Sequence, residues 1–339
     1  MRVRTALLGI VAGLWLCSAM AADKPSESYP VLRTFQAGDA FWDYAVYDSS
    51  AHRIYIGREN GVTTIDLDSG KVNPQFIEGK QVHAVVLLDH NRALATNGGL
   101  AKAVIFDRGT GKILGEIPTG TKPDGAAVEP ATGQIVIMDG ISHDVVFADP
   151  KSGAVLGNLV LDGEPGTPVP DGHGLIFTAI SDHSEISVID VATRKLVKQI
   201  MLPQCDDASG LALDKATAVL LVTCANEKAM TVDAHTGQIL GTVTIAKYPD
   251  LIAFDPIRHV FYVPCIPGEL FVIGEDKTGA PRINASTMLA SGVHTEALDA
   301  EGGLLYVPAG NIIIPKKHGD RPGVEPGTFK VLVVDVKQK

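Results

Sequence analysis

The sequence predicts an all-β, seven-bladed propeller of four-stranded antiparallel blades, and three observations carry that prediction. Short apolar runs alternate with Gly/Pro/Asp/Ser clusters, the pattern of strands in a meander. The pattern recurs about every 40 residues, and such a period with four strands per unit is the sign of a propeller. The chain ends one strand short of its last unit, while an orphan strand precedes the first.

The unit is clearest over residues 122–157. Three apolar runs, 125–128, 134–138 and 145–148, are separated by turns, and a fourth follows the hairpin Asp149-Pro150-Lys151-Ser152-Gly153. One such sheet has two open edges and cannot bury both faces, so it needs copies of itself. An acidic residue ends the third strand at Asp66, Asp107, Asp149, Asp190, Asp233 and Asp335, with Gly274 standing in once. Spacings are about 41 to 43 residues until the last unit, which is roughly 20 longer. Hairpins such as Ser69-Gly70-Lys71, Thr110-Gly111-Lys112 and Thr236-Gly237-Gln238 follow, with Gly supplying positive φ. The first strand carries its own polar marker: Asp43, His83, Asp124, Ser209, Asp250 and His294, with Pro165 breaking the series.

The last unit stops after strand 331–336. If the orphan strand 30–36 pairs with it, both chain ends close the ring and no edge stays open. In the fourth unit, residues 163–174 hold three prolines where the first strand belongs. Proline cannot donate to a ladder, so that strand is expected to be short. His173 lies there in a turn on the face opposite the funnel and is read as structural. The seventh unit carries an insertion, residues 308–330, longer than most loops in a compact domain. It is expected at the mouth of the channel, as a recognition loop or as a loose surface loop.

The N-terminus reads as a secretory signal: Arg2 and Arg4, the apolar stretch 6–16, then Ala19-Met20-Ala21 before Ala22. The apolar core is too short to span a membrane. Leu16 ahead of Cys17 argues against lipoprotein processing. The expected organisation is therefore signal peptide 1–21, disordered segment 22–29 and one propeller domain 30–339, in the periplasm or secreted. Net charge is −10 over the whole chain and about −12 after cleavage. Such acidity disfavours nucleic acid, whose phosphates need a basic face. Cys205, Cys224 and Cys265 remain after cleavage. Antiparallel pairing brings Cys205 and Cys224 to one end of a sheet, so a disulfide there, a cross-blade Cys224–Cys265 pair or three buried thiols all fit.

In a propeller the innermost strands line the channel. Repeat phase places Asp43, His83, Asp124, Ser209, Asp250 and His294 around one funnel, with Asp206, Asp207 and Glu296 close in sequence. Ends of second strands add Arg58, Asn97, Asp139, Asn226 and Cys265, and Trp42 offers an apolar wall. Two imidazoles and several carboxylates at one opening suit a divalent metal or acid–base work. The expected metal set is His83, His294 and Asp43, since Asp43 lies between the two histidines in blade order. A recurring Asp also serves as a turn cap, whereas His has no general advantage in a turn. No GxSxG elbow, HExxH pair or phosphate loop is present. Asn284-Ala285-Ser286 matches a glycosylation acceptor, a triplet common by chance.

The repeat motif resembles that of the YVTN-repeat propellers, the YncE-like proteins of bacterial periplasms and surfaces. The segments that carry it are 123–136, 249–263 with Tyr262-Val263, Leu305-Tyr306-Val307 and Val188-Ile189-Asp190. The resemblance spans the mature chain and implies the fold far more specifically than the function. It includes members proposed to bind DNA, for which this chain lacks the charge.

Three functions follow as expectations. The first is an exported binding or scaffold protein that takes a small ligand or protein partner at the top funnel. The second is a lactonase or other hydrolase using funnel His and Asp residues, with a divalent metal. The third is an accessory subunit of a periplasmic redox enzyme.

Overall fold

The computed structural model describes residues 29–314 and 322–337. The expected signal peptide lies outside them, as does residue 22–28 of the segment expected to be disordered and the tip of the insertion, 315–321. Within the described residues seven four-stranded antiparallel sheets follow one another, with a small two-stranded sheet besides. Six sheets take their strands in chain order, for example Pro123–Val128, Ile135–Asp139, Asp144–Ala148 and Val155–Val160 in blade three.

The seventh blade is composite. Its order is Ala297–Asp299, Leu304–Ala309, Lys330–Asp335 and then the N-terminal strand Val31–Gln36. Phe35 pairs with Val331 and Gln36 with Lys330. The Asp335 N–H donates to the Pro30 carbonyl at 2.9 Å, extending the ladder. Packing begins one residue earlier than the sequence suggested: Tyr29 is buried against the Tyr262, Leu305 and Val336 cluster.

The acidic marker of the third strand acts as a turn cap. Asp66 Oδ1 accepts the Ser69 N–H at 2.8 Å, and the Gly70 N–H returns to the Asp66 carbonyl at 2.8 Å. Asp107, Asp149 and Asp233 repeat this arrangement with Thr110, Ser152 and Thr236. The glycines that complete these turns sit at φ between +72° and +80°, where a Cβ would be strained. Blade six departs, with Asp276 rather than the Gly274 position capping the turn through Thr278.

Buried apolar side chains form seven clusters, each shared between neighbouring blades. Blade two meets blade three through Leu94 and Ile137, and blade four meets blade five through Phe177 and Leu213. The core is thus a ring of seams, and each blade covers the face its neighbour exposes. Blade four is the thin place: its innermost strand is only Val169–Pro170. Cys205 and Cys224 are joined by a disulfide with Cα atoms 5.3 Å apart, and Cys265 is a buried thiol.

Ile312–Ile313 pairs with Gly323–Val324, and residues 327–329 meet the strand entry of blade one. Asp39 carboxylate oxygens accept the Gly327 N–H at 2.7 Å and the Phe329 N–H at 3.4 Å. Deletion through Gln36 would remove the ladder on Lys330–Asp335 and uncover buried Phe35. Burial of one such side chain and about five hydrogen bonds together supply several kcal/mol. The truncated protein should therefore melt roughly 10 °C below the full chain. Equal melting curves in a thermal scan would refute the closure.

Candidate functional site

First strands start at one end of the channel, and there the chain brings Asp43, His83 and Asp124 together from blades one, two and three. His83 Nδ1 lies 2.5 Å from Asp43 Oδ2 and 3.7 Å from Asp124 Oδ1. Lys122 Nζ stands 3.5 Å from Asp124 Oδ2 and 3.0 Å from Glu164 Oε1. Asp43, Tyr44, Asp124, Glu164, Ser209 and Asp250 border a cavity of about 170 Å³ at this mouth. Tyr44 and Thr167 meet through their hydroxyls at 3.0 Å, a contact between blades one and four across the channel.

Close backbone packing sets the histidine. A Cβ on Gly57 would lie 1.8 Å from the His83 carbonyl, and one on Gly98 would lie 2.9 Å from His83 Nε2. Gly57 on the second strand of blade one thus leaves room for the His83 backbone, and Gly98, just past the second strand of blade two, for its imidazole. Its Nε2 is buried without a hydrogen-bond partner, so the ring's polar contacts are all on the carboxylate side.

The electrostatics follow from crowding. Burial opposes the charged imidazole of His83, but the Asp124 and Asp43 carboxylates outweigh it and raise its pKa. Burial, chiefly, raises the Asp124 carboxyl, with Asp43 adding repulsion against His83 and Lys122. Asp250 is pushed up to about 8 by burial and then by Asp43 and Asp124. Burial also lifts Glu296 well above the carboxylate range. These side chains form a mouth richer in carboxyl groups than in compensating charge.

The other residues expected at the funnel are placed differently. His294 does not join His83: its Nδ1 faces the Gly292 carbonyl at 2.7 Å, and its ring packs on Trp42 and Phe41 at 5.2 and 5.9 Å. Burial lowers its pKa. The expected set His83, His294 and Asp43 is therefore corrected to Asp43, His83 and Asp124, whose ligand atoms lie within 4.8 Å of one another. Trp42 is fully buried against His294 and Phe329 rather than forming a ligand wall. Arg58 is also buried; it donates to the Gly38, Ala40 and Phe41 carbonyls and lies 3.7 Å over the Phe329 ring.

Asn97 accepts the Lys80 N–H at 2.7 Å, Asp139 accepts the Gly120 N–H at 2.9 Å, and Asn226 donates to the Gln204 carbonyl at 3.0 Å. All three side chains tie down loop backbone. Burial pushes the Asp139 carboxyl to about 7 and the Cys265 thiol to about 12. Ser209 meets the Pro249 carbonyl at 3.1 Å and Thr223 Oγ1 at 3.2 Å. In blade four the register pairs Pro165 with Ile180, as Pro123 pairs with Asp139. The position equivalent to Asp124 is thus Gly166, one residue beyond the proline that broke the series.

Sequence reasoning missed Lys122, Tyr44, Thr167 and Glu164. A basic residue two positions before Asp124 was the available signal for Lys122. Nothing local indicates that Tyr44 reaches Thr167 across the ring.

No family model and no curated protein matches the chain. Solved structures do. One is a chain of the mitotic checkpoint complex, at TM-score 0.75 and 12% identity, covering 98% of this chain and 100% of that one. Another is U3-55K, at TM-score 0.76 and 9% identity over 89% and 98% of the two chains. The RRP9 WD40 repeats give TM-score 0.76 and 9% identity over 91% and 99%. The chain shares their fold. At such identities the likeness extends to the propeller architecture alone.

Two predictions separate packing from site. His294→Asp would place a carboxylate in the aromatic seam, where an uncompensated buried charge costs about 3–5 kcal/mol. The variant should melt roughly 5–10 °C lower while His83 and its carboxylates keep their arrangement. An unchanged melting temperature would show that His294 is not packed as described. Asp250 gives a pH signature. Its raised folded-state pKa contributes stability below pH 3.8 that is lost as pH rises toward 8. Asp250→Asn removes that loss. The variant should match the parent near pH 4 and melt several degrees higher at pH 8. A gap that stays constant with pH would refute the assignment.

Proposed function

We propose that this protein is an exported, non-catalytic binding propeller that captures a small cation in its top funnel. The observation that carries the reading is the convergence of Asp43, Asp124 and Asp250 on one cavity of about 170 Å³. Burial, and after it repulsion from neighbouring carboxylates, holds Asp124 and Asp250 above the usual carboxylate range. A bound cation would recover that electrostatic cost. The signal-like N-terminus and the resemblance to YVTN-repeat propellers support export. Ser209 is bonded to a carbonyl and another hydroxyl rather than to a base, which favours binding over hydrolysis.

A divalent metal is the cation the geometry supports best. Two carboxylates and one imidazole nitrogen lie within ligand reach of one another, a mixed O/N set suited to ions such as Mn²⁺ or Zn²⁺. His83 Nδ1 must give up its proton to act as a ligand. With its pKa raised by the two carboxylates, affinity should increase as pH rises through the histidine range.

Calorimetric titration with Mn²⁺, Zn²⁺ and spermidine tests this directly. Tight metal binding at pH 8 should weaken at pH 5, and Asp124→Asn should lower affinity at least about tenfold. His83→Gln should abolish metal preference. Spermidine binding that survives His83→Gln would instead assign the funnel to organic ammonium ions. Parent-like metal affinity in Asp124→Asn would overturn the site, and lactone turnover lost in Asp43→Asn would replace binding by hydrolysis.

A further inference from the structure

On the face opposite the funnel, a cleft lies between blade four and blade five. The cleft has a volume of about 460 Å³, within the range of small-molecule sites. Leu175, Phe177, Val188 and Leu213 line it, and Val197 at its edge is 53% exposed.

The polar groups around this apolar floor are mainly cationic or hydrogen-bond donors. Lys215 is exposed at the rim beside His173 and His235. Lys198 Nζ donates to the His235 carbonyl at 2.8 Å, which fixes that ammonium at the border. The one carboxylate on the lining, Asp171, is committed to its own turn: Oδ1 accepts the His173 N–H at 2.7 Å and the Leu175 N–H at 3.0 Å. On a chain of net charge −10, this is a local reversal of sign. An apolar cleft with such a rim complements a ligand with an anionic head and an aliphatic or aromatic body.

We propose that the cleft between blades four and five binds small amphipathic anions, with Lys215 and Lys198 meeting the head group and Phe177, Val188 and Leu213 holding the apolar body. The site is separate from the funnel and does not depend on the reading of that site. Anilinonaphthalene sulfonate, itself an apolar anion, is a direct fluorescent probe. It should bind saturably and be displaced by octyl sulfate but not by octylammonium. Lys215→Glu, an exposed change that spares the fold, should weaken octyl sulfate at least about fivefold. Lys247→Glu near the funnel face should leave it unchanged. Absence of saturable dye binding would overturn the proposal. So would equal competition by octylammonium, or parent-like affinity in Lys215→Glu.

Discussion

The pairing of Val31–Gln36 with Lys330–Asp335 is the contact on which the rest of the molecule depends. A propeller blade has one face to give and one to receive, and its four strands bury neither alone. Seven shared clusters distribute that burial around the ring. Because the closing blade takes its outer strand from the start of the chain, the two ends hold one another. Every other seam can then be satisfied by neighbours in sequence.

The cost of closure is visible at the seam between blades seven and one. Trp42, His294 and Phe329 pack together there, and Arg58 lies over Phe329 while it satisfies three carbonyls of the strand entry. Asp39 ties down the returning insertion. Burial lowers the Arg58 pKa to about 9, the mark of a cation held by carbonyls in an apolar setting. These side chains are committed to joining two non-consecutive parts of the chain, so the polar chemistry lies elsewhere. It sits across blades one, two, three and six, where Asp43, His83, Asp124 and Asp250 look into the mouth.

The same repeat position therefore does three kinds of work. At His83 the residue clamps carboxylates, at His294 it fills an aromatic seam, and at Ser209 it meets a carbonyl. Position in the repeat decides only that a side chain starts an innermost strand. Neighbours decide the rest: Gly57 and Gly98 leave room around His83, whereas Phe41 and Trp42 cover His294. Blade four shows the same rule, where three prolines leave an innermost strand of only Val169–Pro170.

The strand pattern, the period and the turn chemistry determined the propeller, because each depends on contacts within about ten residues. Alternation of apolar runs selects strands, Asp–Ser/Thr–Gly turns cap hairpins, and the missing last strand points to the first. The funnel was legible only in part. Repeat phase placed Asp43, His83 and Asp124 at one mouth, but it could not rank them against His294, Arg58 or Trp42. Side-chain direction and burial at a blade interface depend on the adjoining blade, about 40 residues away. Across the closure they depend on residues nearly 300 positions away, as for Asp39 and Phe329. Only the tertiary structure could show that Tyr44 reaches Thr167, or that Lys122 also reaches Glu164 of the next blade. The Tyr44–Thr167 contact is set by how the ring closes, and no local pattern records it.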